Sequence, residues 1–240
     1  MPLTMMDIIF ATTNAGKVSE VQAFFDSLPV HEGAPTIRLH CPNHLPDVDE
    51  TETTFLGNAR LKALAVAAHV TTPFVMAEDS GFSIPALAGS YGHASFPGVH
   101  SNRWMTPAIR HELLGINDDS PVIQAHLSAG IYALVKRKGL NPIATPANYT
   151  SAWVIANADG EVLFEIEGHV NLWLAAEGTP AGSYGFGYDP MVCPHEEELV
   201  GVNAPAHHTL ADISTVVKNQ FSHRGKAMRS VYQWLLQQAK

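Results

Sequence analysis

Pro73-Phe74-Val75-Met76-Ala77-Glu78-Asp79-Ser80-Gly81 is the stretch on which the reading of this chain turns. The apolar run at 74–77 has the length and character of a buried strand. It carries two adjacent carboxylates, Glu78 and Asp79, to an expected tight turn at Gly81. Side chains alternate along a strand, so the two acids face opposite ways. One can hold a metal while the other anchors or assists. Ligand sites of α/β folds lie beyond the C-terminal ends of such strands. An acidic strand end is common in itself, so the pair gains its weight from the segments around it.

Upstream, Met6-Asp7-Ile8-Ile9-Phe10-Ala11 reads as a strand and Thr12-Thr13-Asn14-Ala15-Gly16-Lys17 as a loop. Val18, Val21, Phe24, Phe25 and Leu28 then recur at helical spacing. The loop places Gly16 and Lys17 at a helix N-terminus, where backbone N–H groups attract anions. It is not a Walker A loop, because Ala11 and Val18 stand where that pattern needs Gly and Ser/Thr. A Pro- and His-rich region at 29–46 is expected to hold one strand. The acidic loop Asp47-Val48-Asp49-Glu50-Thr51-Glu52 follows, and Thr53 or Thr54 caps an alanine-rich helix at about 55–69. Asn58 and Lys62, four apart, share one face of it.

Downstream, residues 87–98 read as a long glycine-rich loop. Thr106-Pro107 opens a helix that Gly115 stops, and Ser120-Pro121 is expected to open another that ends at Gly139. Two strands, 149–157 and 161–170, join at Ala158-Asp159-Gly160, and 172–176 can continue the sheet. In Ser183-Tyr184-Gly185-Phe186-Gly187-Tyr188-Asp189-Pro190, glycines alternate with aromatics. That suits either close approach to a flat ligand, with Phe186 or Tyr188 holding a base, or a bulged strand with core aromatics. Lys218, His223, Arg224 and Lys226 gather before and within a last helix at about 225–238, where cations at a helix start invite an anionic partner.

With 240 residues, 46% hydrophobic and 15% charged, the chain has ample core for one domain over 1–240, in one or two lobes. A net charge of −9 argues against nucleic acid as a main partner. Two cysteines make no disulfide framework. No run reaches the roughly 18 apolar residues of a membrane span. A cytoplasmic location is therefore expected. Cys41 with His44 and Cys193 with His195 have short, zinc-like spacings, but among 13 histidines such pairs arise by chance.

Together these segments resemble the inosine-triphosphate pyrophosphatase family. The resemblance rests on Ala11-Thr-Thr-Asn-Ala-Gly-Lys17, on Asp49-Glu50-Thr51 with Thr54-Phe55 and Asn58-Ala59, on Glu78-Asp-Ser-Gly81, on Gly185-Phe-Gly-Tyr-Asp-Pro190 and on Ser222-His-Arg224. It implies an elongated α/β fold, with a mixed twisted sheet flanked by helices and two lobes around a central nucleotide cleft, usually in a homodimer. The implied reaction converts ITP, dITP or XTP to the monophosphate and pyrophosphate with Mg²⁺. The implied substrate contacts are Thr12, Thr13, Asn14, Ala15, Gly16, Lys17, Ser80, Phe186, Gly187, Tyr188, Asp189, Lys218, His223 and Arg224. Asp79 is the implied proton acceptor, and Asp49, Glu50, Glu78 and Asp79 are the implied metal carboxylates. The chain departs from the pattern at Glu78, where bacterial relatives usually have Asp. It also departs at Glu52 and Gly57, where the family often has Gly and Glu. The segments at 90–96 and 115–147 look longer than usual. A related Maf-like pyrophosphatase and a non-catalytic nucleotide-binding protein are the alternative readings.

Overall fold

A computed structural model describes residues 5–13, 15–29, 35–42, 44–180, 182–185, 187–204 and 208–238. Its strands are β1 (Met5–Phe10), β2 (Thr36–His40), β3 (Val75–Ser83), β4 (Pro146–Ala156), β5 (Val162–Leu174) and β6 (Val192–Pro194). Its α-helices are α1 (Ala15–Asp26), α2 (Phe55–Ala67), α3 (Pro107–Leu114), α4 (Gln124–Arg137), α5 (Thr215–Phe221) and α6 (His223–Gln238). The strands form one mixed sheet in the order β2-β1-β3-β4-β5-β6. β1 runs parallel to β2 and β3, and β6 runs antiparallel to β5. This is the mixed α/β architecture expected from the sequence. Among the described residues no helix is long and apolar enough to cross a membrane.

The chain divides into two compact units. The first comprises Met1–Ser80, Ser151–Gly168 and His223–Lys240. Its core gathers Ile8, Phe10, Phe24, Phe25, Met76, Trp153, Met228 and Leu235, with Phe10 stacked on Trp153 at 5.7 Å between ring centroids. The helical spacing at 18–28 is realised in α1, which turns Val21, Phe24 and Phe25 inward. Edge strand β2 is tied to α1 by Gln22. Its amide donates to the Ile37 carbonyl at 3.0 Å and accepts from the Leu39 N–H at 2.9 Å. Arg60 of α2 makes a two-pronged ion pair with Glu165 of β5, both contacts at 2.7 Å.

The second unit comprises Gly81–Thr150 and His169–Ser222. Phe82, Ile84, Leu87, Phe96, Trp104, Ile131 and Val135 lie in its core. Three expectations are corrected around it. β3 does not turn at Gly81 but runs on to Ser83, because Phe82 and Ile84 are themselves buried apolar residues. α3 starts and stops as its Thr106-Pro107 and Gly115 signals predict, with Gly115 at φ 70°. α4, however, begins at Gln124, well past Ser120-Pro121. Ser120 is drawn elsewhere. Its N–H and hydroxyl both donate to Asp118, and its carbonyl accepts from the fully buried Arg110 at 2.8 Å. Finally, α5 was not expected, and α6 begins two residues earlier than expected, at His223.

Candidate functional site

Within the first unit, a pocket of about 420 Å³ is lined by Thr12 and Thr13, Lys17, Asp47 and Glu50, Lys62 and Glu78, with Phe10, Leu45 and Val66 among its apolar walls. That volume falls in the range of ordinary small-molecule sites. Each wall has a local cause. β1 ends at Phe10, so Thr12 and Thr13 form the turn into α1, and Lys17 sits in the first turn of that helix. The Thr12 carbonyl is held by the Cys41 thiol at 2.8 Å. Thr54 caps α2, its side chain accepting from the Gly57 N–H at 3.0 Å, and this directs Lys62 from the helix toward the acidic loop.

Glu78 and Asp79 leave β3 in opposite directions, as strand alternation requires. The Glu78 side chain is 2% exposed, and Lys17 Nζ donates to it at 2.8 Å. Arg224 Nη2 reaches the other carboxylate oxygen at 3.4 Å, and the Ser151 hydroxyl reaches that oxygen at 3.3 Å. Ser151 is itself fixed by the Trp153 indole N–H at 2.8 Å. Burial alone would raise the Glu78 pKa, but Arg224 and Lys17 outweigh it and hold the carboxyl far below its ordinary 4.5. Arg224 also contacts the Ser80 hydroxyl at 3.4 Å and, at its outer edge, Glu20 at 3.5 Å.

Asp79 faces a cluster of the reverse composition. Lys62 Nζ lies 3.1 Å from Asp79 and 3.2 Å from Glu50. Here burial is the largest influence and the Asp79 pKa is raised above its ordinary 3.8. Lys62 pulls against that rise, while Glu50 and Glu78 add to it. Asp49, expected beside Glu50, is exposed and is not a wall of the pocket. Lys62 was placed on the right helix face by sequence but not read as part of a site. Its signal was a cation one turn beyond Asn58, on the helix that follows an acidic loop.

A second group lies in the other unit. Lys218 Nζ pairs with Asp189 at 2.9 Å, both side chains being largely buried. Burial pushes the Tyr149 pKa well above 10.0, and the charge of Asp189 and its hydrogen bond with Tyr149 push the same way, so Tyr149 stays a donor to that carboxylate. Gly185 stands at φ +84°, a conformation that favours glycine, and a Cβ there would meet the ion pair itself, 2.1 Å from an Asp189 oxygen and 2.8 Å from Lys218 Nζ. Gly187 also has a positive φ, of 61°. Tyr188 is 3% exposed, and its ring stacks on Phe82 at 4.7 Å. Its hydroxyl donates to the Ser101 carbonyl and accepts from the Trp104 indole N–H. Tyr188 can therefore offer a ligand its backbone rather than its ring. Of the remaining expected contacts, Asn14 and Phe186 lie outside the described residues, Ala15 and Gly16 contribute the start of α1, and His223 is the first residue of α6. Among the described residues no three His, Cys, Asp or Glu side chains form a group able to hold a metal on their own.

A family model described as the Ham1 family matches residues 8–234. A protein of Parasynechococcus marenigrum (strain WH8102) named dITP/XTP pyrophosphatase is 34% identical, over 93% of this chain and 91% of its own length. One of the same name from Streptomyces coelicolor is 34% identical over 95% of this chain and 96% of its own. The solved structure of a HAM1 protein from Coxiella burnetii has the same fold, with a TM-score of 0.71 at 24% identity, covering 97% of this chain and 100% of that one. A nucleoside-triphosphatase / dITP/XTP pyrophosphatase from Mycobacterium abscessus gives a TM-score of 0.62 at 27% identity, covering 94% of this chain and 98% of that one. With a model matching nearly its whole length and relatives aligned almost end to end, this chain belongs to the Ham1 family.

Proposed function

We propose that this protein hydrolyses non-canonical purine nucleoside triphosphates, such as ITP, dITP and XTP, to the monophosphate and pyrophosphate. The observation that carries this reading is the opposite make-up of two charge clusters on one strand. Around Glu78, two cations meet one carboxylate; around Asp79, two carboxylates meet one cation. The first arrangement suits phosphate, and the second suits a hard cation accompanying it. Family membership and the names of the relatives support the same reaction.

The donor set fits Mg²⁺, which usually takes one or two carboxylates and completes its shell with water and phosphate oxygens. The Lys62 ammonium already stands as a cation between Glu50 and Asp79. Those two residues would hold Mg²⁺, whose chemistry when bound is to offset charge on the triphosphate and on the departing pyrophosphate. Lys17 and the α1 N-terminus receive phosphate oxygens with donors already in place. Asp79 takes a proton from the attacking water. The water oxygen bonds to the α-phosphorus while the bond from that phosphorus to the α,β-bridging oxygen breaks, and its electron pair leaves with pyrophosphate. A carboxyl whose pKa is raised by burial is better matched to this proton transfer near neutral pH than an ordinary aspartate. His223 is the donor proposed to meet the base. A donor set aimed at a 6-keto oxygen would reject adenine, which presents an amino group there.

The test is pyrophosphate release in Mg²⁺ from ITP, dITP and XTP against dATP, dGTP, dCTP and dTTP. Fast release from the first three alone is expected. Release only from modified pyrimidine nucleotides would favour the Maf-like reading, and tight ITP binding with no release would overturn hydrolysis.

A further inference from the structure

We infer that Glu78 is a positioning residue that clamps Lys17 and Arg224 side by side as a ready-made phosphate grip, and is not a metal ligand. This rests on the proposed function and concerns the same pocket. Lys17 comes from the first turn of α1 and Arg224 from the first turn of α6, more than 200 residues away in sequence. Nothing local brings two like charges together. The Glu78 carboxylate does so, taking Lys17 on one oxygen at 2.8 Å and Arg224 on the other at 3.4 Å. It can hold both because it is itself held. Ser151 donates to the oxygen that Arg224 reaches, and the Trp153 indole fixes Ser151 from behind. Both oxygens are thus engaged by cations, Lys17 on one and Arg224 on the other, whereas Lys62 pairs with Glu50 and Asp79 instead. Without Glu78 the ammonium and guanidinium repel each other and part. Lys17, 39% exposed, can swing to water, while Arg224 keeps Glu20 as a partner. A phosphate would then meet one cation instead of two.

The experiment compares the wild type with Glu78→Gln and Glu78→Asp. Glu78→Gln is expected to lower kcat for ITP about tenfold per folded molecule, the scale of one charge-assisted hydrogen bond. The half-saturating Mg²⁺ concentration should stay unchanged, and Glu78→Asp, which keeps the charge, should recover most of the loss. A tenfold rise in half-saturating Mg²⁺ would make Glu78 a metal ligand, and an unchanged kcat would make it structural; either overturns the inference. Calorimetry of inorganic tripolyphosphate binding in EDTA reads the grip without metal or turnover. It should weaken about tenfold in Glu78→Gln and recover in Glu78→Asp. Equal affinities in all three proteins would refute the inference even if ITP is hydrolysed. If the wild type releases no pyrophosphate but the tripolyphosphate pattern holds, the proposed reaction fails and the clamp stands.

Discussion

Exchanging Glu52 and Gly57 tests how the acidic loop is fitted to α2. Gly57 occupies the third position of that helix, after the Thr54 cap. The Glu52 side chain lies directly on it. A Cβ added at Gly57 would stand 2.7 Å from Glu52 Cβ, 2.8 Å from Cγ and 3.0 Å from Oε2. The first of these contacts cannot be relieved by a rotamer change, because Cβ moves only with the backbone. That backbone is pinned, the Glu52 N–H donating at 3.0 Å to the Oδ1 of Asn58, which is fully buried. Glu52 thus brings a carboxylate over the start of α2 from outside the helix, where it favours the helix dipole. A Glu at 57 would bring one from inside, completing a capping box with Thr54. The two solutions exclude each other in space.

The singles and the double should therefore not add. Gly57→Glu alone overpacks the contact, at about 1–3 kcal/mol, and recovers about 1 kcal/mol of helix propensity. Its net loss is about 1 kcal/mol, or roughly 2–4 °C in Tm for a chain of this size. Glu52→Gly alone removes the dipole partner and loosens the loop, again at about 1 kcal/mol. In the double variant the clash is gone and the carboxylate is back, so stability should return to the wild-type value or above. That corresponds to a coupling of about 2 kcal/mol. Glu52→Ala is the control, since it keeps the offending Cβ and should not rescue Gly57→Glu. Urea unfolding of the wild type, the singles and the double measures the cycle. An additive cycle, or a Gly57→Glu single as stable as the wild type, would show that the loop yields and that the packing argument is mistaken.

Three further outcomes are expected. Asp79→Asn keeps the size of the side chain but removes the proposed proton acceptor, so ITP turnover should fall at least ~100-fold with the fold intact by circular dichroism; near-normal turnover would remove Asp79 from that role. Lys62→Met takes away the ammonium that pairs with Glu50 and Asp79 and that would compete with Mg²⁺ for them, so half-saturating Mg²⁺ should fall roughly tenfold while turnover also falls. A rise in half-saturating Mg²⁺ would mean that Lys62 assembles the metal site instead. The folded pKa of Glu78 is depressed below its ordinary 4.5, so its ionised form contributes stability above that pH and loses it as the pH falls. Urea unfolding between about pH 6 and pH 3 should show the gap between wild type and Glu78→Gln narrowing on the acid side, and a gap independent of pH would count against the buried ion pairs.

What the sequence revealed and what it hid follow from the range of the forces involved. Thr106-Pro107 with Gly115, and Ala158-Asp159-Gly160, act within a few residues, and α3 and the β4–β5 turn formed where those signals stand. The opposed directions of Glu78 and Asp79 were legible too, because alternation is a property of the strand alone. Their partners were not legible, since Lys17, Lys62 and Arg224 come from three separate helices that only the fold assembles. Ser120 shows a local cap signal overruled by a distant one, the buried guanidinium of Arg110. For Tyr188 the alternation of glycines and aromatics left a ligand contact and a core ring both open, and packing against Phe82 decides for the core. The pairing on β3 has a mechanical consequence that neither acid has singly. Successive residues of a strand are joined by one peptide unit, about 3.3 Å along the axis. The carboxylate that holds Lys17 and Arg224 and the one that pairs with Lys62 beside Glu50 therefore cannot shift independently. A substitution beneath β3, at Met76 or at Trp153, disturbs both charge clusters together, so its effects on phosphate affinity and on Mg²⁺ requirement should be correlated across variants rather than separable.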